Sequence, residues 1–447
     1  MLSDVIAAIA TPPGRSALAL LRLSGRDAFG VAGRVLRPFQ SDPLREARRA
    51  RVTDPSTGGP LDDVLYACWR HPDSFTGDDL VEISTHGGLL VPAEVLAALL
   101  RAGARLALPG EFTRRAVMNG KMDLLQAEAV ADLIDATSGA QRRAALSQLD
   151  RGLSLRVEAL REQVLELEVL TSYEIDFPEE DSGPIAPERI DAATSRARES
   201  VTRLLGTVSE GERLREGALV VIAGRPNTGK SSLFNALLGV ERAIVTEIPG
   251  TTRDAIEAPA TCGGFPFRLI DTAGLRDTSD PIERLGIEVS HRYLLAADVV
   301  VFCSEAGRSL AEEETRFLSG VRAPVIRVRT KADVVESATA TGEEIAVSAR
   351  SGEGLEALRA ALARIAFSTF AQSGDVEPFV NRARHRDALE RASQELTGFV
   401  AARASGLEGA VAATHLRAAV TALETIIGTV TGEDVLDLLF STFCVGK

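Results

Sequence analysis

One stretch near the middle of the chain has the residue types and spacing of a phosphate-binding loop. It reads Gly224-Arg-Pro-Asn-Thr-Gly-Lys-Ser231. Its glycines let backbone N–H groups face phosphate oxygens, its lysine brings a positive charge to the β and γ oxygens, and its serine offers a hydroxyl to Mg²⁺. The motif therefore predicts nucleotide binding. The candidate contact residues are Asn227, Thr228, Gly229, Lys230, Ser231 and Ser232.

Four shorter motifs follow in the order expected of a guanine-nucleotide site. Thr251-Thr-Arg-Asp254 can give the metal a hydroxyl, and Asp271-Thr-Ala-Gly274 can hold Mg²⁺ through water and reach a γ-phosphate by a backbone N–H. In Thr330-Lys-Ala-Asp333, the Asp333 carboxylate can accept hydrogen bonds from the N1–H and N2–H₂ edge of guanine. Ser348-Ala-Arg350 can contact the base carbonyl through backbone N–H groups. The candidate residues in the last three motifs are Asp271, Thr272, Ala273, Gly274, Thr330, Lys331, Ala332, Asp333, Ser348, Ala349 and Arg350.

Apolar runs precede most of these motifs and predict the strands that position them. Residues 218–223 form a continuous apolar run of the kind found in parallel strands buried on both faces, and residues 232–238 have helical spacing. A strand, a glycine-rich loop and a helix are the context that a phosphate-binding loop needs. Similar runs at 267–270, 324–329 and 344–347 lead into the later motifs.

Taken together, the five motifs resemble those of small GTPases of the Ras-like P-loop class. That resemblance implies a mostly parallel sheet with helices on both faces. Thr330 departs from the usual pattern, in which an asparagine contacts the base and braces the phosphate-binding loop. We therefore expect a slightly weakened preference for guanine.

Length and composition predict a soluble, cytoplasmic protein of about three domains. The 447 residues are 45% hydrophobic, but the sequence contains no run of 18 or more apolar residues, so no transmembrane helix is expected. The N-terminus lacks the basic region of a signal peptide. The four cysteines are scattered without a Cys-x-x-Cys pair, which disfavours a zinc site. A net charge of −13 argues against binding nucleic acid by charge alone.

Helical patterns of apolar residues on both sides of the nucleotide-binding motifs predict a nucleotide module inserted in a helical bundle. Residues 1–118 read as a mixed α and β domain, 119–215 and 369–447 as one discontinuous helical domain, and 216–368 as the G domain. Helical spacing of apolar residues predicts an amphipathic helix before the module, and a second helix is expected at 187–211. The apolar stripe of the first helix comprises Leu146, Leu149, Leu153, Val157, Leu160, Val164 and Leu167.

Blocks at both ends of the chain closely resemble the MnmE (TrmE) family of tRNA modification GTPases. The terminal sequence Phe440-Ser-Thr-Phe-Cys-Val-Gly-Lys447 is the most distinctive of them. The N-terminal blocks are Ala10-Thr-Pro-Pro-Gly-Arg15, Leu21-Arg-Leu-Ser-Gly25, Ser74-Phe-Thr-Gly77, Pro109-Gly-Glu-Phe-Thr113 and Asn119-Gly-Lys121. The resemblance spans the whole chain.

This resemblance implies a substrate, partners and a second site. The family installs an aminomethyl-type group on the wobble uridine of certain tRNAs together with the flavoprotein MnmG (GidA), as a homodimer, with a one-carbon unit from tetrahydrofolate. A 5-formyl- or methylene-tetrahydrofolate is the implied cofactor, held by an N-terminal domain like those of folate-binding one-carbon proteins. By position, Arg22, Glu82, Lys121 and Lys447 match the folate contacts.

The resemblance also implies a potassium-dependent GTPase. Leu275 stands where Ras-like proteins have a water-positioning glutamine. The family instead dimerises its G domains and binds K⁺ where an arginine finger would place its charge. The matching K⁺ ligands are Asn227, Thr246, Ile248 and Thr251; Mg²⁺ matches Ser231 and Thr252, and Glu283 matches the acidic residue that orients water. The implied nucleotide loop comprises Thr246, Glu247, Ile248, Pro249, Gly250, Thr251 and Thr252.

Two other functions stay open at this stage. A ribosome-assembly or other RNA-associated switch GTPase would need an RNA-binding appendage, such as a Gly-x-x-Gly loop or a basic tail. A folate-dependent aminomethyl transferase with a regulatory G domain overlaps with the first interpretation. Cys444 is a candidate nucleophile, although a lone cysteine is more often inert.

Overall fold

The protein folds into two compact units. The computed structural model describes residues 4–42, 45–176, 186–239, 257–271, 292–334, 344–373, 379–406, 409–428 and 433–446. One unit comprises Met1–Ala131 with Ile427–Lys447, and the other Asp132–Ile426. Within the described residues, each unit contains one β-sheet.

The first unit is built on a seven-stranded sheet with the order β3-β4-β5-β6-β2-β1-β7. The strands are β1 Ile6–Ile9, β2 Leu18–Ser24, β3 Leu36–Arg37, β4 Arg48–Thr53, β5 Pro60–Trp69, β6 Leu80–His86 and β7 Arg105–Leu106. Helices α1 Ala28–Val35 and α2 Leu90–Arg101 cover one face of this sheet, where Leu21 and Leu23 of β2 pack in a shared core with Val31 and Val95. The mixed sheet confirms the predicted α+β domain.

The second unit contains the predicted, mostly parallel sheet, with the order β13-β12-β11-β8-β10-β9. Its strands are β8 Ala218–Gly224, β9 Glu257–Cys262, β10 Phe265–Asp271, β11 Val299–Glu305, β12 Val325–Thr330 and β13 Ile345–Ala346. Every pairing is parallel except that of β9 with β10. Because β8 lies inside the sheet, all of its residues up to Ala223 are buried, as the apolar run predicts.

Helices lie on both faces of this second sheet. On one face, Leu233 of one helix and Leu358 of another join the core with Val220 and Ile222 of β8. On the other face, Phe317 packs against a cluster that contains Phe302. The helices that bear these residues are α9 Lys230–Leu238, α11 Leu355–Ala366 and α10 Glu312–Gly320.

Helices from before and after the G module pack together, which confirms the inserted arrangement. The other α-helices of the described residues are α3 Glu111–Met118, α4 Leu124–Asp135, α5 Gly139–Leu149, α6 Gly152–Asp176, α7 Pro187–Gly206, α8 Val208–Glu216, α12 Ser368–Ser373, α13 Ala383–Ala404, α14 Gly409–Ile427 and α15 Glu433–Ser441. Helix α7 packs against α6 and α13. Ion pairs of 2.5 Å, Glu174 with Arg403 and Arg161 with Glu424, join α6 to α13 and α14.

Two predicted helices are each divided in the structure. Helix α5 ends at Leu149 and α6 begins at Gly152, because Arg151 between them has the left-handed φ of 65°. The buried stripe therefore runs from Leu153 to Leu167, whereas Leu146 is 44% exposed. The helix expected at 187–211 is α7 followed, after Thr207, by α8.

One helix in the described part of the chain is long and apolar enough to cross a membrane. This helix, Gly409–Ile427, is half buried inside the protein. It also carries Arg417 and Glu424, which form ion pairs with Glu168 and Arg161 of α6. A core helix of a soluble protein passes the same length and hydropathy test, so the helix alone gives no support for a membrane span.

The compact units do not follow the domain bounds expected from the sequence. Residues 427–447 lie in the first unit, whereas their helical character grouped them with residues 119–215. Within the first unit, Phe440 and Phe443 pack against Leu124 and Ala127. The three-domain division itself stays a prediction.

Candidate functional site

The loop between β8 and α9 has the backbone shape of a phosphate cradle. Gly224, Asn227 and Gly229 have φ values of 142°, 63° and 82°. A Cβ at Gly224 would lie 2.3 Å from the carbonyl oxygen of Cys303 on the neighbouring strand β11, so only glycine fits there. Asparagine is among the few other residues that tolerate the left-handed region. The predicted strand, loop and helix are therefore confirmed.

Lys230 is held on the inside of this loop. It is only 6% exposed, and its Nζ donates a hydrogen bond of 2.7 Å to the carbonyl oxygen of Arg225. The Thr228 hydroxyl donates to the same oxygen at 2.8 Å. Ser231 and Ser232 are exposed in the first turn of α9, where helix N–H groups attract anions. The loop therefore gathers a cation, hydroxyls and helix N–H groups.

The parallel sheet places the other candidate residues at the same edge as this loop. Asp271 ends β10, which pairs directly with β8, and Thr330 ends β12. Glu305 ends β11 and pairs in register with Thr330. Since ligands of open parallel sheets bind beyond the carboxyl ends of the strands, one nucleotide can contact all these segments.

Thr330 contacts the phosphate-binding loop itself. Its hydroxyl lies 2.6 Å from the carbonyl oxygen of Thr228 and 3.1 Å from that of Ser304. Thr330 is 4% exposed. The bracing contact expected of an asparagine at this position is therefore made here by the shorter side chain.

The two segments assigned to the base lie side by side. The N–H of Ala332 donates to the carbonyl oxygen of Val347 at 3.3 Å, which joins the start of the short 3₁₀ helix Ala332–Val334 to the residue before Ser348. Lys331 forms an ion pair with Glu305, which lowers the pKa of that carboxyl. Asp333 is exposed, and Ser348 is buried.

Several predicted residues lie outside the described part of the chain, and their roles stay predictions. These are Thr246, Glu247, Ile248, Pro249, Gly250, Thr251, Thr252, Thr272, Ala273, Gly274, Glu283 and Lys447. Among the described residues, no group of three or more histidine, cysteine, aspartate or glutamate side chains is arranged to hold a metal ion. A Mg²⁺ ion that is bound through hydroxyl, water and phosphate oxygens does not need such a group.

A second group of predicted residues meets on the sheet of the first unit. Arg22 of β2 and Glu82 of β6 are direct cross-strand partners, and the Arg22 Nε lies 2.9 Å from the Glu82 carboxylate. The Arg22 guanidinium also lies over the ring of Phe75, 5.5 Å from its centroid. Lys121 is exposed at the turn after α3. A Cβ at Gly77 would lie 3.2 Å from the Lys121 side chain, so these two segments are close.

The C-terminal tail reaches this pair. The carbonyl oxygen of Gly446 accepts a hydrogen bond of 3.4 Å from Arg22, and a Cβ at Gly446 would lie 2.8 Å from the Cα of Ala10. The carbonyl oxygen of Cys444 accepts a hydrogen bond of 3.3 Å from the N–H of Gly110, and the Cys444 side chain is exposed. The tail is therefore held at Arg22 of β2, beside Ala10 after β1, and at Gly110 before α3.

Sequence reasoning missed three residues at these sites. Arg225 forms ion pairs of 3.2 Å and 3.3 Å with Glu313 and Glu314 of α10, which ties the phosphate-binding loop to that helix. The Gly446 carbonyl oxygen accepts a hydrogen bond from Arg22, and the Phe75 ring lies beneath the Arg22 guanidinium. Both residues lie inside sequence blocks that resemble the family. The sequence does not show which residues those blocks contact, so it gave no reason to single out Phe75 or Gly446.

Comparison with known proteins points to one family. A family model described as the MnmE helical domain matches residues 124–444, and one described as the GTP-binding protein TrmE N-terminus matches residues 5–121. The chain is 43% identical over 464 residues to the tRNA modification GTPase MnmE of Moorella thermoacetica, with 100% of both chains covered. It is 41% identical over 466 residues to the same-named protein of Heliobacterium modesticaldum, again with 100% of both covered.

A solved structure gives a weaker match. The G domain of the FeoB iron transporter of T. maritima is 29% identical and covers 33% of this chain and 98% of its own, with a TM-score of 0.25. A TM-score this low supports no conclusion about function.

Proposed function

The chain belongs to the MnmE family of tRNA modification GTPases and is a GTP hydrolase, and on this premise we propose the reaction that its GTP turnover serves. With a flavoprotein partner of the MnmG (GidA) type, it installs a (carboxymethyl)aminomethyl group on C5 of the wobble uridine of certain tRNAs. It acts in the cytoplasm as a homodimer. The one-carbon unit comes from 5-formyl- or methylene-tetrahydrofolate.

The observation that carries the GTPase part is the position of Lys230. Lys230 is buried and follows Asn227 and Gly229, whose backbones are left-handed. It lies at the sheet edge where β8, β10, β11 and β12 end. A positive charge held in place before the ligand arrives stabilises charge that develops on the γ-phosphoryl group without further reorganisation.

The residues at this edge fit Mg²⁺. Ser231 supplies a hydroxyl at the start of α9, and Asp271 supplies a carboxylate at the end of the adjacent strand. Both are hard oxygen donors of the kind that Mg²⁺ prefers, alongside waters and phosphate oxygens. When bound, Mg²⁺ neutralises charge on the β and γ phosphates.

Potassium is proposed as a second cation, with Asn227 as one ligand. Asn227 is exposed, and its left-handed backbone is compatible with glycine as well. We expect GTP turnover to be at least about tenfold faster in KCl than in NaCl, because the ion would supply charge that elsewhere comes from an arginine finger. Steady-state phosphate release at matched ionic strength measures this ratio.

Asn227→Gly is the matched variant for the potassium proposal. It removes the side-chain oxygen but keeps a residue that accepts the φ of 63°. Turnover in KCl should fall to about the rate in NaCl. Equal rates of the unaltered protein in the two salts would contradict the proposal.

The Arg22–Glu82 pair is proposed to hold the folate. A guanidinium suits folate carboxylates and a carboxylate suits the N–H edge of the pterin, and here both lie on adjacent strands beside an aromatic ring. The tail carbonyl of Gly446 adds an acceptor from the opposite end of the chain. Lys121 and Lys447 are the further proposed contacts.

Mass spectrometry of tRNA nucleosides tests the proposed function and this site together. A strain that lacks the gene should lose the modified wobble uridine, and the unaltered gene should restore it. Arg22→Ala should restore less than about a tenth, because a charged hydrogen-bonding partner is removed. Unchanged nucleosides in the deletion strain would reject the proposed function.

Arg49→Ala is the control for the loss of a surface arginine. Arg49 is 76% exposed on β4 of the same sheet, and its ion pair with Asp63 is shared with Arg51. The Arg49→Ala variant should restore modification fully.

Purified Arg22→Ala should also hydrolyse GTP at the normal rate, which would show that the variant is folded. Full modification by Arg22→Ala would remove the arginine from the folate site.

A further inference from the structure

Thr330 has a single hydroxyl proton to donate, and both hydrogen-bond partners of its hydroxyl in the structure are carbonyl oxygens. A threonine hydroxyl is one O–H donor with two acceptor lone pairs, whereas an asparagine amide has two N–H protons. The shorter of the two Thr330 contacts, 2.6 Å, is to the carbonyl oxygen of Thr228 in the phosphate-binding loop. The longer one, 3.1 Å, is to the carbonyl oxygen of Ser304. Both partners are acceptors, so the proton is used within the protein.

These contacts join three segments of the sheet edge. Thr228 belongs to the loop after β8, Ser304 to the end of β11, and Thr330 to the end of β12. The side chain also lies close beside the loop, because a Cβ placed at Gly229 would be 3.6 Å from the Cβ of Thr330. Thr330 is therefore positioned to fix the loop relative to the strands that carry the base-recognition segments.

The same contacts limit what Thr330 can do for the base. The ring nitrogen N7 and the oxygen O6 of guanine are hydrogen-bond acceptors. A hydroxyl that donates its proton to either of these two carbonyl oxygens has only lone pairs left, and lone pairs do not bond to acceptors. Donation to N7 would require the hydroxyl to give up its hydrogen bonds to carbonyl oxygens of buried residues, which costs free energy.

We propose that Thr330 is a positioning residue that holds the phosphate-binding loop and leaves N7 of the nucleotide without a side-chain donor from this position. Guanine selection then falls to Asp333 and to the backbone of residues 348–350. The inference deepens the proposed nucleotide site and rests on it.

The first test compares GDP with 7-deaza-GDP, in which N7 is replaced by C–H, on the unaltered full-length protein. Isothermal titration should give the two dissociation constants within about twofold of each other, since no neutral hydrogen bond is lost. A 7-deaza-GDP affinity weaker by about fivefold or more would overturn the proposal. Failure to bind GDP at all would instead reject the guanine site as a whole.

The second test uses Thr330→Val and Thr330→Ser. Valine keeps the shape but removes the hydroxyl, so it should weaken GDP and 7-deaza-GDP by the same factor, about tenfold. Serine keeps the hydroxyl and should bind both nucleotides nearly as tightly as threonine. If valine changes the ratio between the two nucleotides, or leaves both affinities unchanged, the bracing role is wrong.

The unfolding temperature of each variant shows whether a lost affinity reflects the loop or the whole fold. The comparison on the unaltered protein needs no substitution. It therefore decides whether N7 receives a hydrogen bond even if Thr330→Val does not fold.

Discussion

Replacement of Lys230 by alanine is expected to lower kcat for GTP hydrolysis by about 100- to 1000-fold, the usual loss when one preorganised charge or donor is removed. The side chain is 6% exposed and its Nζ is held 2.7 Å from the Arg225 carbonyl oxygen. Its charge is therefore already in place when the γ-phosphoryl group develops negative charge. Single-turnover hydrolysis at saturating GTP measures the chemical step separately from binding.

Arg316→Ala is the control for this result. Arg316 is 75% exposed on α10 of the same unit and forms an ion pair only with Glu312 among the contacts described for it. Its single-turnover rate should equal that of the unaltered protein. A Lys230→Ala protein that keeps more than about a tenth of the normal rate would contradict the role of the lysine.

Asp333→Asn is expected to weaken GDP binding by roughly 100- to 10,000-fold. Two hydrogen bonds from the guanine N1–H and N2–H₂ groups to a charged acceptor are each worth about 1.5–3 kcal/mol. The substitution removes the negative charge, and the asparagine NH₂ group places an N–H donor opposite the guanine amino group, which is itself a donor. Xanthosine diphosphate carries an oxygen at that position of the ring, so the variant should bind it more tightly than it binds GDP.

The control here is Glu312→Gln, which also neutralises an exposed carboxylate but lies on α10, with its side chain 89% exposed. It should bind GDP normally. Asp333 is exposed in the short 3₁₀ helix after Thr330, so the substitution should leave the unfolding temperature nearly unchanged. Undiminished GDP affinity in Asp333→Asn would show that the base is recognised elsewhere.

The order of strands and loops around the nucleotide site was predictable because it depends on local sequence. Residues 218–223 are apolar without alternation, and they form a strand buried on both faces. Glycine accepts left-handed backbone conformations, and Gly229 of the loop adopts one. Parallel strands have their carboxyl ends at one edge, so the motifs that follow them had to meet there.

Local periodicity failed where a single residue changed the chain direction. The stripe from Leu146 to Leu167 keeps helical spacing through residues 150–151. Arg151 nevertheless adopts a left-handed conformation, which most non-glycine residues avoid, and this separates α5 from α6. Apolar spacing alone carries no information about such a break.

The sequence by itself determined the family, the phosphate-binding loop and the order of the base-recognition motifs, because each depends on residues that are close together in the chain. Only the tertiary structure decided which distant groups are partners. Arg22 meets Glu82 through the pairing of β2 with β6, and the tail carbonyl of Gly446 reaches the same arginine. The Thr330 hydroxyl reaches the Thr228 carbonyl oxygen because only one strand, β11, separates β12 from β8 in the sheet, and no spacing rule relates residues 102 positions apart.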